Sequence, residues 1–194
     1  WGMLASHAVC CLGDLPKPVI APTMVDRSIQ QVPYEDGASG VRNLSYVSLP
    51  NNLANELRYF REMVPFERVA ILSIAALLEA IPRIELQTLE VMAELGLEFE
   101  YIGVRNDADE VLAAISPEVD AVFVWPLFLL TPDERQKLID GLNERRLPTF
   151  SALGGIDVEL GMLATLGSDE FLPRLARRVA LNLQRILLGA EAGE

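Results

Sequence analysis

The stretch Asp120 to Thr131, DAVFVWPLFLLT, restricts most strongly what this chain can fold into. It is apolar almost throughout and shows no alternation of polar and apolar residues. It is also too short to cross a bilayer, which takes about 20 apolar residues. A short run without a polar face reads as a strand buried on both sides, and such strands belong to parallel sheets covered by helices. The residues that close it, Thr131-Pro132-Asp133-Glu134, form a helix start. Threonine is the N-cap, proline takes the first helical position, and glutamate reaches back to the cap. A buried strand that runs into a capped helix needs strands of the same kind on either side.

The pattern supplies them. From Phe66 onward, strand Arg68–Ser73 precedes helix Pro82–Leu95, which Gly96 closes. Strand Glu98–Val104 leads to a helix from Ala108 to Ser116, with Asp107 and Glu110 spaced as a capping box. After the Asp120 strand come helix Pro132–Arg146, strand Pro148–Leu153 and a short strand Gly161–Leu166. The last element is a helix from Asp169 to Leu188, capped by Ser168 and stopped by Gly189. Its apolar stripe is Leu172, Leu175, Ala176, Val179, Leu183, Ile186 and Leu187. Strands and helices that alternate about every 25 residues predict right-handed βαβ units. The fold class expected is α/β: a flavodoxin-like, doubly wound, mainly parallel sheet with strand order 2-1-3-4-5. The Arg68 and Asp120 strands then flank the switch point.

The first third is less regular. Gly2–Leu12 reads as a short helix ending at Gly13, Pro18–Val25 as a buried strand, and Ser28–Gly40 as a loop. Asn43–Leu49 reads as a strand, and Leu53, Leu57, Phe60 and Val64 share one face of a helix that ends at Pro65. In 194 residues there is material for one good core or two small lobes. The hydrophobic content of 51% suits strands covered on both faces, and the net charge of −12 argues against nucleic acid as a partner. Cys10 and Cys11 are adjacent in a helical stretch and cannot pair with each other without distortion, so they read as small buried hydrophobes.

A doubly wound sheet binds at the carboxyl ends of its strands. There the chain places Ser73-Ile74-Ala75, Trp125-Pro126-Leu127 and Ala152-Leu153-Gly154-Gly155. A phosphoacceptor site needs carboxylates at these ends, and they are Ser, Trp and Leu. A dinucleotide site needs G-x-G-x-x-G at the first turn, which is SIAALLEA. The phosphate-loop lysine is missing, the single histidine is His7, and no cluster has metal-ligand spacing. The expectation is a protein that is not an enzyme, with no catalytic residues, no metal and no cofactor. Trp125 reads as a stacking platform or as packing, Ser73 as a ligand hydroxyl or a turn-former, and Gly154 and Gly155 as a tight turn or a close approach to ligand. Arg174, Arg178 and Arg185 lie on one stripe of the last helix, to dock a partner or to face solvent.

The order of these segments resembles a known family. PFERVAILS, AELGLEFEYIGV, DADEVLAAI, DAVFVWP, LIDGLNERRLPTFS, GGIDVELGMLATLG and LARRVALNLQRILLG together are similar to the C-terminal lobe and closing helix of type I periplasmic solute-binding proteins, in the ABC-transporter substrate-binding group. LPKPVIAPTMVD resembles the end of that family's N-terminal lobe, where a strand finishes on an aspartate corresponding to Asp26. Asp26 is thereby a ligand group or a loop cap. The resemblance divides the chain into a remainder of the N-terminal lobe (1–49), a C-terminal lobe (50–160), and a crossover strand with a closing helix that returns to the first lobe (161–194). It implies a non-enzymatic domain of the periplasm or cell envelope with Asp26, Ser73, Trp125, Gly154 and Gly155 as ligand-binding residues. The implied partners are a small, partly apolar solute and envelope transporter components. The segments GVRNLSYVSLP, PFERVAIL and RRLPTFS also resemble modules joined to TolC-like outer-membrane efflux channels, which would make it an accessory interaction domain without a solute.

Two departures from the family shape the remaining expectations. The family's first βα units have no counterpart, and the chain begins at Trp1, as a processed or excised piece would. The polar contacts expected after the central strands are replaced by Trp125, Pro126, Leu127 and Leu153. An unpaired Val19–Met24 edge and an uncovered apolar stripe on the closing helix would then drive self-association, or be covered by the N-terminal helix.

Overall fold

The computed structural model describes residues 2–24, 26–48, 52–168 and 170–193. They fall into two compact units, Trp1–Asn51 with Glu170–Glu194, and Asn52–Asp169. The smaller unit opens with α1 (Met3–Cys10), β1 (Val19–Met24), α2 (Arg27–Gln30) and β2 (Leu44–Ser48). The larger holds α3 (Leu53–Met63), β3 (Arg68–Ile74), α4 (Ala75–Ala80), α5 (Arg83–Leu95), β4 (Glu98–Val104), α6 (Ala108–Ala114) and β5 (Ala121–Val124). It continues with α7 (Pro132–Glu144), β6 (Thr149–Ser151), α8 (Gly155–Glu159) and β7 (Ala164–Thr165). Helix α9 (Phe171–Leu187) belongs to the smaller unit.

The larger unit is a five-stranded sheet in the order β4-β3-β5-β6-β7, with every pair parallel. In order of appearance that is 2-1-3-4-5, the flavodoxin-like doubly wound arrangement. Strand β5 is central, and its residues Ala121, Val122, Phe123 and Val124 are at most 2% exposed. One face of the sheet meets a ring chain: Phe123 stacks on Phe150 at 5.6 Å, Phe150 meets Phe60 of α3 at 5.2 Å, and Phe60 meets Phe66 at 4.9 Å. At the amino edge the Asp120 carboxylate accepts from the backbone N–H groups of Arg68 (2.8 Å) and Glu67 (3.1 Å), which fixes the register of β5 on β3.

The structure corrects several expectations. The apolar run is a strand only as far as Val124, because Pro126 has no N–H to continue the ladder. The chain turns there, burying Leu127 and Leu130 while Phe128 and Leu129 are 58% and 53% exposed. Thr131 caps α7 as expected, accepting from the N–H of Glu134 at 3.2 Å. Glu134 does not reach back, however; its carboxylate accepts from the N–H of Ala108 (2.7 Å) at the start of α6. Helices α4 and α8 escape the pattern because each is short and has no side-chain cap. The stretch 161–168, grouped from the sequence with the closing helix, contributes β7 to the larger sheet.

In the smaller unit β1 and β2 pair in parallel, with a core of Cys10, Leu15, Ala21, Val32 and Leu44. Helix α1 packs on β1, and Ser6 and Thr23 share a hydrogen bond at 3.3 Å. Pro22 sits inside β1 where the register shifts between Ala21 and Met24, the kind of interruption that makes a strand a poor template for another chain. The expected loop after β1 begins with α2, and further on Asp36 and Gly37 adopt φ of 45° and 95° in a tight turn closed by a Glu35–Ala38 bridge. Cys10 is buried, and burial pushes its thiol up to about 11, while Cys11 is exposed.

Helix α9 departs from its reading at both ends and on its faces. Glu170, not Ser168, takes the N-cap position, and Pro173 falls in the first turn, where its missing N–H costs nothing. The half-buried face is Leu175, Val179, Asn182 and Ile186, whereas Leu172, Leu183 and Leu187 of the expected stripe are 59%, 48% and 76% exposed. The expected strand ends at Val25 and Leu49 and the helix start at Asp169 lie outside the described residues. Among the described residues no helix is long and apolar enough to cross a membrane.

Glu56, in the first turn of α3, is raised by burial to about 7. The helix dipole at this position favours the carboxylate by about 0.3–1 kcal/mol, and burial outweighs it. Because the folded value exceeds the ordinary 4.5, the folded chain binds more protons between pH 4.5 and 7. Stability from this group is therefore full below about 4.5 and falls as pH rises to about 7. Glu56→Gln should be more stable than the parent above pH 7 by about 3 kcal/mol, and equally stable near pH 4.5, in urea unfolding across that range.

Candidate functional site

The carboxyl edge of the larger sheet is where the strands release their side chains. Strand β3 ends in Ser73-Ile74, and Leu72 pairs with Val124 of β5, so Ser73 and Trp125 are the next residues along on neighbouring strands. The N–H of Trp125 donates to the carbonyl of Leu72 at 2.9 Å, the last bond of that ladder. Trp125 is 9% exposed and Ser73 1%. Among the described residues the Ser73 hydroxyl has no hydrogen-bond partner. A buried hydroxyl without a partner costs about 1–3 kcal/mol, so it is either tolerated strain or a group awaiting a partner.

Strand β6 delivers a polar cluster that the sequence reading missed. The Ser151 hydroxyl donates to Asp157 of α8 at 2.5 Å and accepts from the N–H of Leu153 at 3.0 Å. Asp157 is 3% exposed, and its other oxygen faces Arg135 of α7 at 3.7 Å. Arg135 also donates to the carbonyl of Leu127 at 3.3 Å, tying the loop after β5 to the turn after β6. From β7, the Thr165 hydroxyl donates to the carbonyl of Ser151 at 2.7 Å and accepts from the N–H of Gly167 at 2.8 Å. These groups bond to one another and build the edge. The one signal available from sequence was Asp157 itself, a carboxylate between Ile156 and Val158 just after a buried strand.

The two glycines behave differently. Gly154 has φ 120° and lies against Gly167, where a Cβ on Gly167 would meet the Gly154 Cα at 2.5 Å. Two backbones touch here, so Gly154 serves a close turn. Gly155 begins α8 and is half-buried. Around the edge the segments leaving β5, β6 and β7 expose Phe128, Leu129, Ile156 and Leu166, each at least 50%. The arrangement offers exposed apolar surface around a buried indole and a buried hydroxyl without a partner. Among the described residues no group of three His, Cys, Asp or Glu side chains could hold a metal ion.

Asp26 lies in the smaller unit. It N-caps α2, its Oδ1 accepting from the N–H of Ser28 at 2.6 Å and of Ile29 at 3.3 Å, and from the Ser28 hydroxyl.

No family model matches the chain, and no curated protein matches it. Solved structures do. An ABC domain in complex with L-Trp from Streptococcus pneumonia aligns with a TM-score of 0.76 at 18% identity, covering 99% of this chain and 65% of its own. A conserved domain protein from Vibrio cholerae aligns with a TM-score of 0.80 at 18% identity, covering 99% and 64%. A substrate-binding protein with adhesive properties from Clostridium difficile, in a ligand-free open structure, gives 0.58 at 16%, covering 99% and 64%. The chain thus spans under two thirds of each of these proteins, and the likeness is one of fold: α/β, of the periplasmic-binding-protein kind.

Proposed function

We propose that this chain is a non-enzymatic solute-binding domain of a bacterial envelope transport system, taking a small, partly apolar solute against the carboxyl edge of the larger sheet. The observation that carries this reading is the Ser73 hydroxyl, buried and unpartnered at the end of β3 beside Trp125. A ligand donor or acceptor would relieve its cost, and the indole edge supplies apolar contact next to it. Gly155 lets backbone approach the same edge, and Gly154 fixes the turn that holds it. Asp26 would act in the smaller unit through Oδ2, since Oδ1 is taken by the helix cap. The fold is that of proteins described as substrate-binding, one of them holding L-Trp, which supports a small organic solute and an extracytoplasmic location.

A second reading is supported by α9. Leu183, Leu187 and Leu188 are 48%, 76% and 81% exposed, an apolar surface that suits an accessory interaction domain of a transport or efflux assembly, including self-association.

Calorimetric titration with L-tryptophan, L-leucine and indole separates the two. The first reading expects saturable binding of at least one with Kd below about 1 mM, weakened about tenfold by Ser73→Ala. The same substitution should leave stability unchanged or raise it by about 1 kcal/mol, because no bond is lost. Asp157→Ala should instead cost about 3 kcal/mol, since it strands Arg135 and Ser151. If none of the probes binds, and sedimentation shows association that Leu183→Glu abolishes, the second reading replaces the first.

A further inference from the structure

The smaller unit holds a concavity of about 380 Å³ that the solute reading does not use. This is within the range of about 300–1,000 Å³ typical of small-molecule sites. Its walls are β2, the turn around Gly37, and the inward side of α9 with the tail that follows it. Three guanidiniums line it, from Arg27, Arg178 and Arg185, against one carboxylate, Glu191. Among the described residues none of the three forms an ion pair. In a chain with 28 acidic and 16 basic residues, such a concentration of unpaired arginine is against the average.

We infer that this concavity is a binding site for a small organic dianion. The lining carries three positive charges and one negative, a surplus of two that a doubly charged ligand would neutralise. Arg178 and Arg185 are seven residues apart on one helix, which places their backbones about 10 Å apart along the axis on the same side. A single oxyanion suits that span poorly, whereas an organic molecule with separated charges, or with a body and a dianionic head, fills it.

The walls are partly set in advance. The Arg27 guanidinium lies 3.6 Å from the Tyr34 ring centroid and interacts with the Tyr34 and Tyr46 hydroxyls, which hold it on the wall of the concavity. Tyr46 donates to the carbonyl of Pro33 at 2.6 Å, and Asn182 donates to Ser45 at 3.3 Å, fixing α9 on β2. Ala192 is buried and Gly193 packs on the Val41 carbonyl, so Glu191 is held at the rim between them. A positive concavity in an acidic protein also focuses anions from solution.

The site is tested on the full chain by calorimetry at constant ionic strength. Glucose 6-phosphate represents phosphomonoesters, 2-oxoglutarate represents dicarboxylates, and glucose is the neutral control. At least one anion should bind saturably with Kd below about 1 mM, and which one identifies the class; glucose should not bind. The double substitution Arg178→Gln with Arg185→Gln should weaken binding at least tenfold. Both side chains are exposed, so the fold is retained, and Arg83→Gln, an exposed arginine of the larger unit, should change nothing. Glu191→Gln should tighten binding about threefold, an outcome that loss of structure would not produce. The inference is overturned if neither anion binds, if the double variant binds as the parent does, or if Glu191→Gln weakens binding. Failure here leaves the Ser73 edge untouched, because that site is in the other unit and is read with other ligands.

Discussion

The larger unit depends on the desolvation of one four-residue strand. Every side chain of β5 is out of water on both faces, so its backbone groups must bond to strands on both sides. Strand β3 supplies one partner and β6 the other, and burial of both faces then requires helices above and below. The stacked Phe123 and Phe150 extend this core to Phe60 of α3, which is why a helix preceding the sheet in sequence is part of its packing. Asp120 sets the register, and at the other end Pro126 stops the ladder. Once these are fixed, the carboxyl edge has little freedom in where its side chains emerge.

That edge uses its polar groups in two ways. Ser151 and Asp157 are closed on each other, and with Arg135 and Thr165 they hold the loops after β5, β6 and β7 together. Such a buried set is rigid because each member would be costly to strand. Ser73, two strands away, is as deeply buried and bonds to nothing among the described residues. Among the described residues the cluster is not wholly satisfied either: Asp157 Oδ1 is buried without a hydrogen bond and has only the Arg135 guanidinium at 3.7 Å, while Phe128, Leu129 and Ile156 are exposed at the same rim.

Most of the sheet was legible because it rests on local rules: unbroken apolar runs, caps at Asp107 and Thr131, and glycine after α5 and α9. What escaped was set by contacts distant in sequence. Glu134 was read as a reciprocal cap, but the N–H of Ala108, 26 residues away, is nearer to its carboxylate. Arg135 and Asp157 become neighbours only when α7 and α8 are in place, so their pairing has no signature of spacing. Gly154 reads from sequence as a tight turn or a close approach, and the identity of the backbone that approaches it, Gly167, is a tertiary fact. Ser73 and Trp125 could be placed on neighbouring strand ends because the end of a strand is a position that sequence can mark.

Helix α9 shows how an apolar stripe can misdirect. Leucines occupy so much of its circumference that several faces fit a helical repeat, and the reading selected the widest. The face turned toward β1 and β2 is the narrower Leu175–Val179–Asn182–Ile186 line, and it includes a polar residue. Asn182 is accepted there because Ser45 bonds to it, while a leucine in its place would set a side chain without a donor against that hydroxyl. With Asn182 inward, helical geometry brings Arg178 and Arg185, four residues before and three after, onto the same side. The two arginines therefore line the concavity as a consequence of the Asn182–Ser45 bond. The same rotation turns Leu183 and Leu187 outward, so the face that carries the Asn182–Ser45 bond is flanked by arginine and the other face is apolar and exposed.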